Sequence, residues 1–252
     1  MQPDSHTRTT DPYRHHPGLR GKIEDPLTSF FRDFDPATIE AELAARGLEP
    51  MPAYPDAERE AFRTAALDGR RDKELWVFAY GSLMWNPAFL FEEVRRAHLP
   101  GFARRFILKD VSGGRGTPDH PGVMAALDSD PDGPGCDGLA FRIAAERLEE
   151  ETDILWRRER ISPCYHEEFL PASTDHGEIT VLAFTADHDA DMIHPDLSHD
   201  EQVTYAAFGE GILGTSFEYI QNLADRFEIL NIEDPDMARL LADARARRDA
   251  AA

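Results

Sequence analysis

The sequence contains only two cysteines, Cys136 and Cys164, and no hydrophobic run that approaches the roughly 20 residues needed to span a membrane. Two cysteines cannot build a disulfide framework, so a reducing, cytoplasmic location is expected. Residues 1–20 are polar and lack the apolar segment of a secretion signal, so none is expected. Basic residues are also scarce, with 27 Lys and Arg against 48 Asp and Glu. The formal net charge of −21 makes nucleic acid and anionic membranes unfavourable partners.

Enough apolar sequence is present for one sizeable core, because the 252 residues are 41% hydrophobic and 10% aromatic. Apolar and β-branched runs predict strands over 75–80, 94–110 (two strands), 122–127, 138–143, 165–170 and 179–186. Helical spacing and capping signals predict helices over 144–157, from 198, over 217–227 and from 234. This order predicts an α+β fold: a small, curved, mostly antiparallel, barrel-like sheet with packed helices.

The chain is expected to divide into three regions. Residues 1–22 are rich in His, Arg, Pro and Asp, and they predict a mobile tail. Residues 23–73 predict a helical N-terminal extension, with Asp35 as an N-cap before a proline and a second helix over 56–67. Residues 74–252 form the main domain.

The loop after the first predicted strand is the most informative stretch. Residues 75–80 are apolar, aromatic and β-branched, which suits a buried strand, and Gly81-Ser82 interrupts that run. Asn86-Pro87 then supplies a second turn signal. A short loop of free backbone N–H groups at the end of a sheet can bind a carboxylate or an oxyanion. The alternative is an ordinary turn after a buried strand.

Glu159 is a candidate general base in the charged run Arg157-Arg158-Glu159-Arg160, at the end of the helix predicted over 144–157. A partly desolvated carboxylate has a raised pKa, which suits proton abstraction near neutral pH. The alternative is a solvated charge run with pairing between residues three and four apart.

Two further groups of residues offer other chemistries. A His and Asp cluster could ligate a metal, but its spacing matches no standard metal motif, so a polar loop and no metal are favoured. Cys136 and Cys164 could be nucleophiles only beside a base, so buried or incidental thiols are favoured. The cluster contains His188, Asp189, Asp191, His194, Asp196, His199 and Asp200.

Several motifs follow one another in an order that carries a family resemblance. They are Tyr80-Gly81-Ser82-Leu83-Met84-Trp85, Arg115-Gly116-Thr117-Pro118, Gly138-Leu139-Ala140-Phe141-Arg142, Arg158-Glu159, Tyr165 and residues 211–220. Together they make residues 74–230 similar to the ChaC-like γ-glutamylcyclotransferases of the glutathione-specific type. Two features depart from the family pattern: Pro163, where members often have glycine, and the acidic pair Glu167-Glu168.

The resemblance implies that residues 74–252 form a catalytic domain that cleaves glutathione into 5-oxoproline and Cys-Gly. The substrate's own α-amine attacks its γ-carbonyl, so no protein nucleophile, metal or organic cofactor is required. The family's catalytic base corresponds to Glu159, and Arg115 would offset the negative charge of the substrate. The substrate-binding residues implied are Tyr80, Gly81, Ser82, Leu83, Met84, Trp85, Arg115 and Tyr165.

Three alternatives to glutathione cleavage are left open. The domain could act on another γ-glutamyl amine or peptide. It could be a non-catalytic γ-glutamyl-binding module, which the intact Glu159 disfavours. It could also be a metal-dependent hydrolase that uses the His and Asp cluster, in which case EDTA would stop turnover.

Overall fold

A computed structural model describes residues 11–49 and 53–251 of the chain. Within these residues, one sheet contains β1 (Leu75–Ala79), β2 (Glu93–Leu99), β3 (Phe102–Asp110), β4 (Gly122–Ser129), β5 (Cys136–Ile143), β6 (Tyr165–Thr174) and β7 (Gly177–Ala186). The strand order is β1-β5-β2-β6-β7-β4-β3, and β1 also pairs with β7. Five strands therefore close into a barrel, and β4 and β3 continue the sheet outside it. Only the β1–β7 and β4–β7 pairings of these described strands are parallel, so the predicted mostly antiparallel, barrel-like α+β fold is confirmed.

Six helices accompany the sheet in the described part of the chain. They are α1 (Pro36–Ala45), α2 (Asp56–Ala66), α3 (Leu148–Glu159), α4 (His199–Phe208), α5 (Ser216–Leu230) and α6 (Pro235–Ala251), and a short ribbon of β8 (Glu210–Gly211) and β9 (Gly214–Thr215) precedes α5. Asp35 caps α1 by accepting the N–H of Ala37, and both Ser198 and Thr215 form capping boxes at α4 and α5. None of the described helices is long and apolar enough to cross a lipid bilayer.

Helix α3 packs one apolar face onto the barrel. Leu148, Leu155 and Trp156 are buried, and Trp156 makes an edge-to-face contact with Phe184 of β7 at 5.5 Å between ring centroids. Because this face is packed, the end of α3 is held in place, and Glu159 is its last residue.

Residues 11–22 are packed against the sheet and do not form a mobile tail, so that prediction is wrong for them. Strand β2 pairs with β6 only near His98, which leaves N–H groups of β2 available. The N–H of Val94 donates to the carbonyl of Pro12 at 3.1 Å, and the N–H of Arg96 donates to His16 Nε2 at 2.7 Å. Leu19 is fully buried. These contacts anchor the segment; the rest of the predicted tail, residues 1–10, lies outside the described residues.

Candidate active site

One cavity opens where the loop after β1, the C-terminal end of α3, the loop between β3 and β4 and the start of β6 meet the N-terminal extension. The side chains with polar or titratable groups that line it are Ser82, Asp110, Arg115, Arg158, Glu159, Ser162, Cys164 and Tyr165. Four of the predicted site residues, Ser82, Arg115, Glu159 and Tyr165, are thus brought together from distant parts of the chain.

The loop after β1 forms one 3-10 turn over Ser82–Met84. The N–H of Met84 donates to the carbonyl of Gly81 at 2.9 Å, whereas no described residue accepts a hydrogen bond from the N–H of Ser82 or Leu83. The side chains of Leu83 and Met84 are buried in the core, and only Ser82 of the turn lines the cavity among the described residues. The loop therefore offers the cavity its backbone and the Ser82 hydroxyl.

Arg158 joins this loop to the candidate base. Its Nη2 donates to Ser82 Oγ at 2.7 Å, its Nη1 donates to the carbonyl of Asn86, and its Nε lies 2.9 Å from Glu159 Oε1. Sequence reasoning assigned no such role to Arg158, because its partners lie about 75 residues earlier in the chain and no local pattern shows them.

Glu159 is largely withdrawn from water, with 13% of its side chain exposed. Burial raises the pKa of its carboxyl, and the guanidinium of Arg158 partly opposes that shift. The interpretation of this run as a solvated charged face is therefore wrong for Arg158, Glu159 and Arg160, which are buried or half-buried. Arg157 makes the expected pair with Asp153 one helical turn earlier, but it is also half-buried and donates to the carbonyl of Phe34.

Three tyrosines surround the candidate base. Tyr80 Oη donates to the carbonyl of Phe184 at 2.9 Å, and burial raises the pKa of Tyr80 and Tyr165 well above the usual value. Burial also raises the pKa of Tyr219 to about 12. All three hydroxyls therefore stay protonated at neutral pH and can donate hydrogen bonds.

Tyr219 also explains why residue 81 is a glycine. A Cβ at Gly81 would lie 2.7 Å from Tyr219 Oη, so a larger residue would collide with that hydroxyl. Tyr219 in turn accepts the N–H of Ala125 and packs edge-to-face on Trp85 at 5.2 Å. Gly81 and Trp85 thus fix Tyr219 against the barrel, a role that the motif alone did not reveal.

Arg115 is a cation without an ion-pair partner among the described residues. Its Nη1 donates to the carbonyl of Thr215 at 3.2 Å, and its guanidinium lies 5.2 Å from the Tyr219 ring centroid. Burial lowers the pKa of Arg115, because a charge withdrawn from water is costly. An anionic substrate group would supply the missing negative charge.

Asp110 holds the loop that carries Arg115. Its carboxylate accepts the N–H of Ser112 at 2.8 Å and the N–H of Arg115. Burial raises the pKa of Asp110, and these backbone hydrogen bonds oppose the rise. Asp110 is a second site residue that sequence reasoning missed; the adjacent glycine-rich loop was the available signal.

The acidic pair Glu167-Glu168, which departs from the family pattern, binds side chains of the surrounding fold. Glu167 Oε1 accepts the indole N–H of Trp156 at 2.9 Å and lies 2.9 Å from Arg160 Nε. Glu168 Oε1 accepts the hydroxyl of Thr185 at 2.6 Å. Both carboxylates therefore bind neighbours in the fold.

The His and Asp cluster does not gather into a metal-binding set. His188 lies 2.7 Å from an oxygen of Asp128, and His199 lies 2.7 Å from one of Asp243. No group of three or more potential His, Cys, Asp or Glu ligands is found within residues 11–49 and 53–251.

Cys164 and Ser162 line the same cavity. Burial raises the pKa of the Cys164 thiol to about 12, which disfavours the thiolate that a nucleophile needs. Ser162 Oγ is buried and has no hydrogen-bond partner in the described part of the chain. Sequence reasoning missed Ser162, because nothing in its local sequence separates it from an ordinary turn serine.

Comparison with known proteins places the chain in a family. The model of the ChaC-like protein family matches residues 75–247, so the chain belongs to the ChaC-like family and the resemblance is confirmed. The chain is 35% identical over 190 residues to a glutathione-specific gamma-glutamylcyclotransferase of Escherichia coli strain K12, covering 73% of this chain and 79% of that protein. It is 30% identical over 181 residues to glutathione-specific gamma-glutamylcyclotransferase 1 of Danio rerio, covering 68% and 91%.

The fold also has a solved counterpart. The crystal structure of a gamma-glutamyl cyclotransferase specific to glutathione from yeast superposes with a TM-score of 0.61 at 21% identity, covering 70% of this chain and all of the yeast chain. The barrel and its helices are therefore the fold of that structure.

Proposed function

We propose that this chain is a γ-glutamylcyclotransferase that cleaves glutathione into 5-oxoproline and Cys-Gly. The observation that carries the proposal is a largely buried carboxylate, Glu159, with a raised pKa, at the same cavity as Arg115, a cation with no ion-pair partner among residues 11–49 and 53–251. The names of the relatives, which describe glutathione-specific enzymes, support the same substrate. Residues 74–252 would be the catalytic domain, in agreement with the extent of the family match.

In the proposed reaction, the α-amine nitrogen of the γ-glutamyl group bonds to its own γ-carbonyl carbon. The bond between that carbon and the cysteine nitrogen breaks, and no water is consumed. Glu159 takes one proton from the α-ammonium group, since only the free amine attacks. The attacking nitrogen loses a second proton as the ring closes, and the leaving nitrogen gains both protons as the ammonium group of Cys-Gly, with Glu159 as their carrier. Holding the two reacting groups together can supply about 7–11 kcal/mol of the barrier.

The substrate's charges determine the roles of the other residues. The N–H groups of Ser82 and Leu83, which have no acceptor among the described residues, and the guanidinium of Arg115 are suited to bind the α-carboxylate or the developing oxyanion. The protonated hydroxyl of Tyr165 is a further donor at the cavity. Tyr80, Gly81, Met84 and Trp85 would support the loop from the core.

The remaining features of the chain fit a small-molecule enzyme of the cytoplasm. Cys136 and Cys164 are both free and buried, which supports a reducing compartment. The net charge of −21 opposes association with nucleic acid or anionic membrane. The chemistry proposed uses protein side chains and backbone alone, with no metal or organic cofactor.

The proposal is tested by incubating the purified protein with glutathione and detecting 5-oxoproline and Cys-Gly by mass spectrometry. Equimolar products that form equally with and without EDTA are expected. Tight glutathione binding without product would favour a binding module. Product from other γ-glutamyl amines but not from glutathione would show that the enzyme has a different γ-glutamyl substrate. Loss of turnover with EDTA would favour a metal-dependent enzyme.

A further inference from the structure

The cavity has an apolar side that comes from the N-terminal extension, outside the family match of residues 75–247. Four side chains form it: Phe31, Phe34, Ile39 and Leu43, here called the extension wall. Phe34, Ile39 and Leu43 are buried together as a small separate core, which Phe31 joins at its edge. The wall is therefore a packed surface.

Polar contacts anchor the extension to the elements that carry the candidate site. The N–H of Glu24 donates to the carbonyl of Trp85 at 2.7 Å, and the hydroxyl of Ser29 donates to Asn86 Oδ1 at 2.7 Å. Arg157 Nη1 donates to the carbonyl of Phe34 at 2.9 Å. The extension is thus attached both to the loop that contains Ser82 and to the end of α3.

The extension wall also contacts Arg158 and the loop that carries Arg115, the two cationic parts of the cavity. The Phe31 ring centroid lies 4.3 Å from Cζ of Arg158. Leu43 lies against Gly113, in the loop of Arg115, so closely that a Cβ at Gly113 would be 2.3 Å from Leu43 Cδ2. The extension therefore closes the cavity between Arg158 and the Arg115 loop.

We propose that the extension wall receives the leaving-amine part of the substrate and selects uncharged side chains there. This inference rests on the proposed function, because it assumes that a γ-glutamyl group occupies the polar side around Ser82, Arg115 and Glu159. The rest of such a substrate then extends into the apolar part of the cavity, which the extension wall forms together with apolar residues of the catalytic domain such as Met124, Met192 and Leu213. The cysteine side chain of glutathione can be buried there, whereas a lysine or glutamate in its place would lose water without gaining a partner.

The test compares wall variants with a neighbouring control. Phe34→Ala and Leu43→Ala remove parts of the wall, whereas Phe30→Ala changes a 53% exposed ring that contacts Phe31 and Phe34 from outside. Wild type is expected to use glutathione at least about 100-fold better, in kcat/KM, than its γ-Glu-Lys-Gly analogue. The two wall variants are expected to raise the KM for glutathione about tenfold with kcat within about threefold, and the control to change neither.

A second measurement does not depend on the folding of those variants. Amide hydrogen exchange in the Glu159→Gln protein, with and without glutathione, is expected to slow over residues 31–43 on binding. Wild type that releases no 5-oxoproline from glutathione would overturn the proposed function and this inference with it. The inference alone would be overturned if the wild type is active but the folded wall variants keep the wild-type KM for glutathione. It would also be overturned if glutathione does not slow amide exchange over residues 31–43.

Discussion

Glu151 and Glu159 are two carboxylates of the same helix, both largely withdrawn from water, but their surroundings differ. Glu151 is fully buried and accepts hydrogen bonds from Arg32 Nη1 at 2.9 Å, Arg32 Nη2 at 3.2 Å and the N–H of Leu90 at 2.7 Å. Glu159 has one charged partner in the part of the chain that the structure describes, Arg158 at 2.9 Å, and it lines the cavity. The first carboxylate is saturated with partners that hold the fold, whereas the second keeps oxygen lone pairs free to take a proton.

The largest effect on turnover should come from replacing Glu159, the carboxylate with fewer hydrogen-bond partners. Glu159→Gln keeps the shape of the side chain but cannot accept the proton, so kcat is expected to fall by about 10³-fold. Binding of glutathione, followed by calorimetry, should survive, and the circular dichroism spectrum should be unchanged. Turnover within a few-fold of wild type would show that another group is the base.

Removing the partner of the saturated carboxylate, Glu151, should lower the stability of the protein. Arg32→Ala leaves Glu151 buried without its cation, and the free energy of unfolding is expected to fall by about 3 kcal/mol in urea titrations. The matched control is Arg46→Ala, which breaks a surface pair with Glu42 and should cost less than about 0.5 kcal/mol. Equal losses in the two variants would mean that the Arg32–Glu151 pair does not hold the extension.

Gly81 and Cys164 provide a test of the framework around the base. Gly81→Val places a Cβ 2.7 Å from Tyr219 Oη and adds two methyl groups to it, so kcat/KM is expected to fall about 100-fold as the loop shifts. Cys164→Ala should change kcat/KM by less than about threefold, since the nucleophile belongs to the substrate. A folded, inactive Cys164→Ala beside an active Gly81→Val would instead favour thiol catalysis.

The pH dependence follows from the raised pKa of Glu159. The base works deprotonated, so kcat/KM is expected to fall about tenfold per pH unit below that pKa, which lies above the usual 4.5. A raised folded-state pKa contributes stability that is present below pH 4.5 and is lost as the pH rises through the folded pKa. Activity and this part of the stability should therefore change in opposite directions.

Profiles of kcat/KM and of urea unfolding from pH 4 to 9 would check both. Glu159→Gln is the control, because it removes the titrating carboxyl and should remove its share of the pH-dependent stability. A kcat/KM that stays flat down to pH 4.5 would contradict the assignment.

Local features of the fold were predictable, because they depend on neighbours in sequence. The caps at Asp35 and Ser198 and the buried face of α3 follow from side-chain type and helical spacing. Residues 11–22 were misjudged, because one buried leucine and hydrogen bonds to the open edge of β2 hold them, and neither shows in composition.

The candidate site was only partly predictable, for the same reason. The family resemblance pointed to Glu159, Ser82, Arg115 and Tyr165, which the structure gathers at one cavity. Arg158 and Tyr219 act through contacts with segments far away in the chain, whereas nothing in the local sequence marks Asp110 or Ser162 as part of the cavity. The extension wall belongs to a region with no counterpart in the motifs, so only the structure places it at the cavity.

The smallest effect is expected at a pair of buried hydroxyls that differ as Glu151 and Glu159 do: one has hydrogen-bond partners within the fold and the other lines the cavity. Thr152 Oγ1 donates to the carbonyl of Leu148 at 2.6 Å and accepts from Arg63 Nη1 at 2.9 Å, whereas Ser162 Oγ has no partner among the described residues. We expect the Ser162 hydroxyl to hydrogen-bond to the substrate, so Ser162→Ala should raise the KM for glutathione about two- to tenfold, the contribution of one hydrogen bond. Its stability should be unchanged or higher, because no hydrogen bond within the protein is lost. Thr152→Val is the control and should lower stability without changing KM. A Ser162→Ala protein with the wild-type KM would show that this hydroxyl does not meet the substrate.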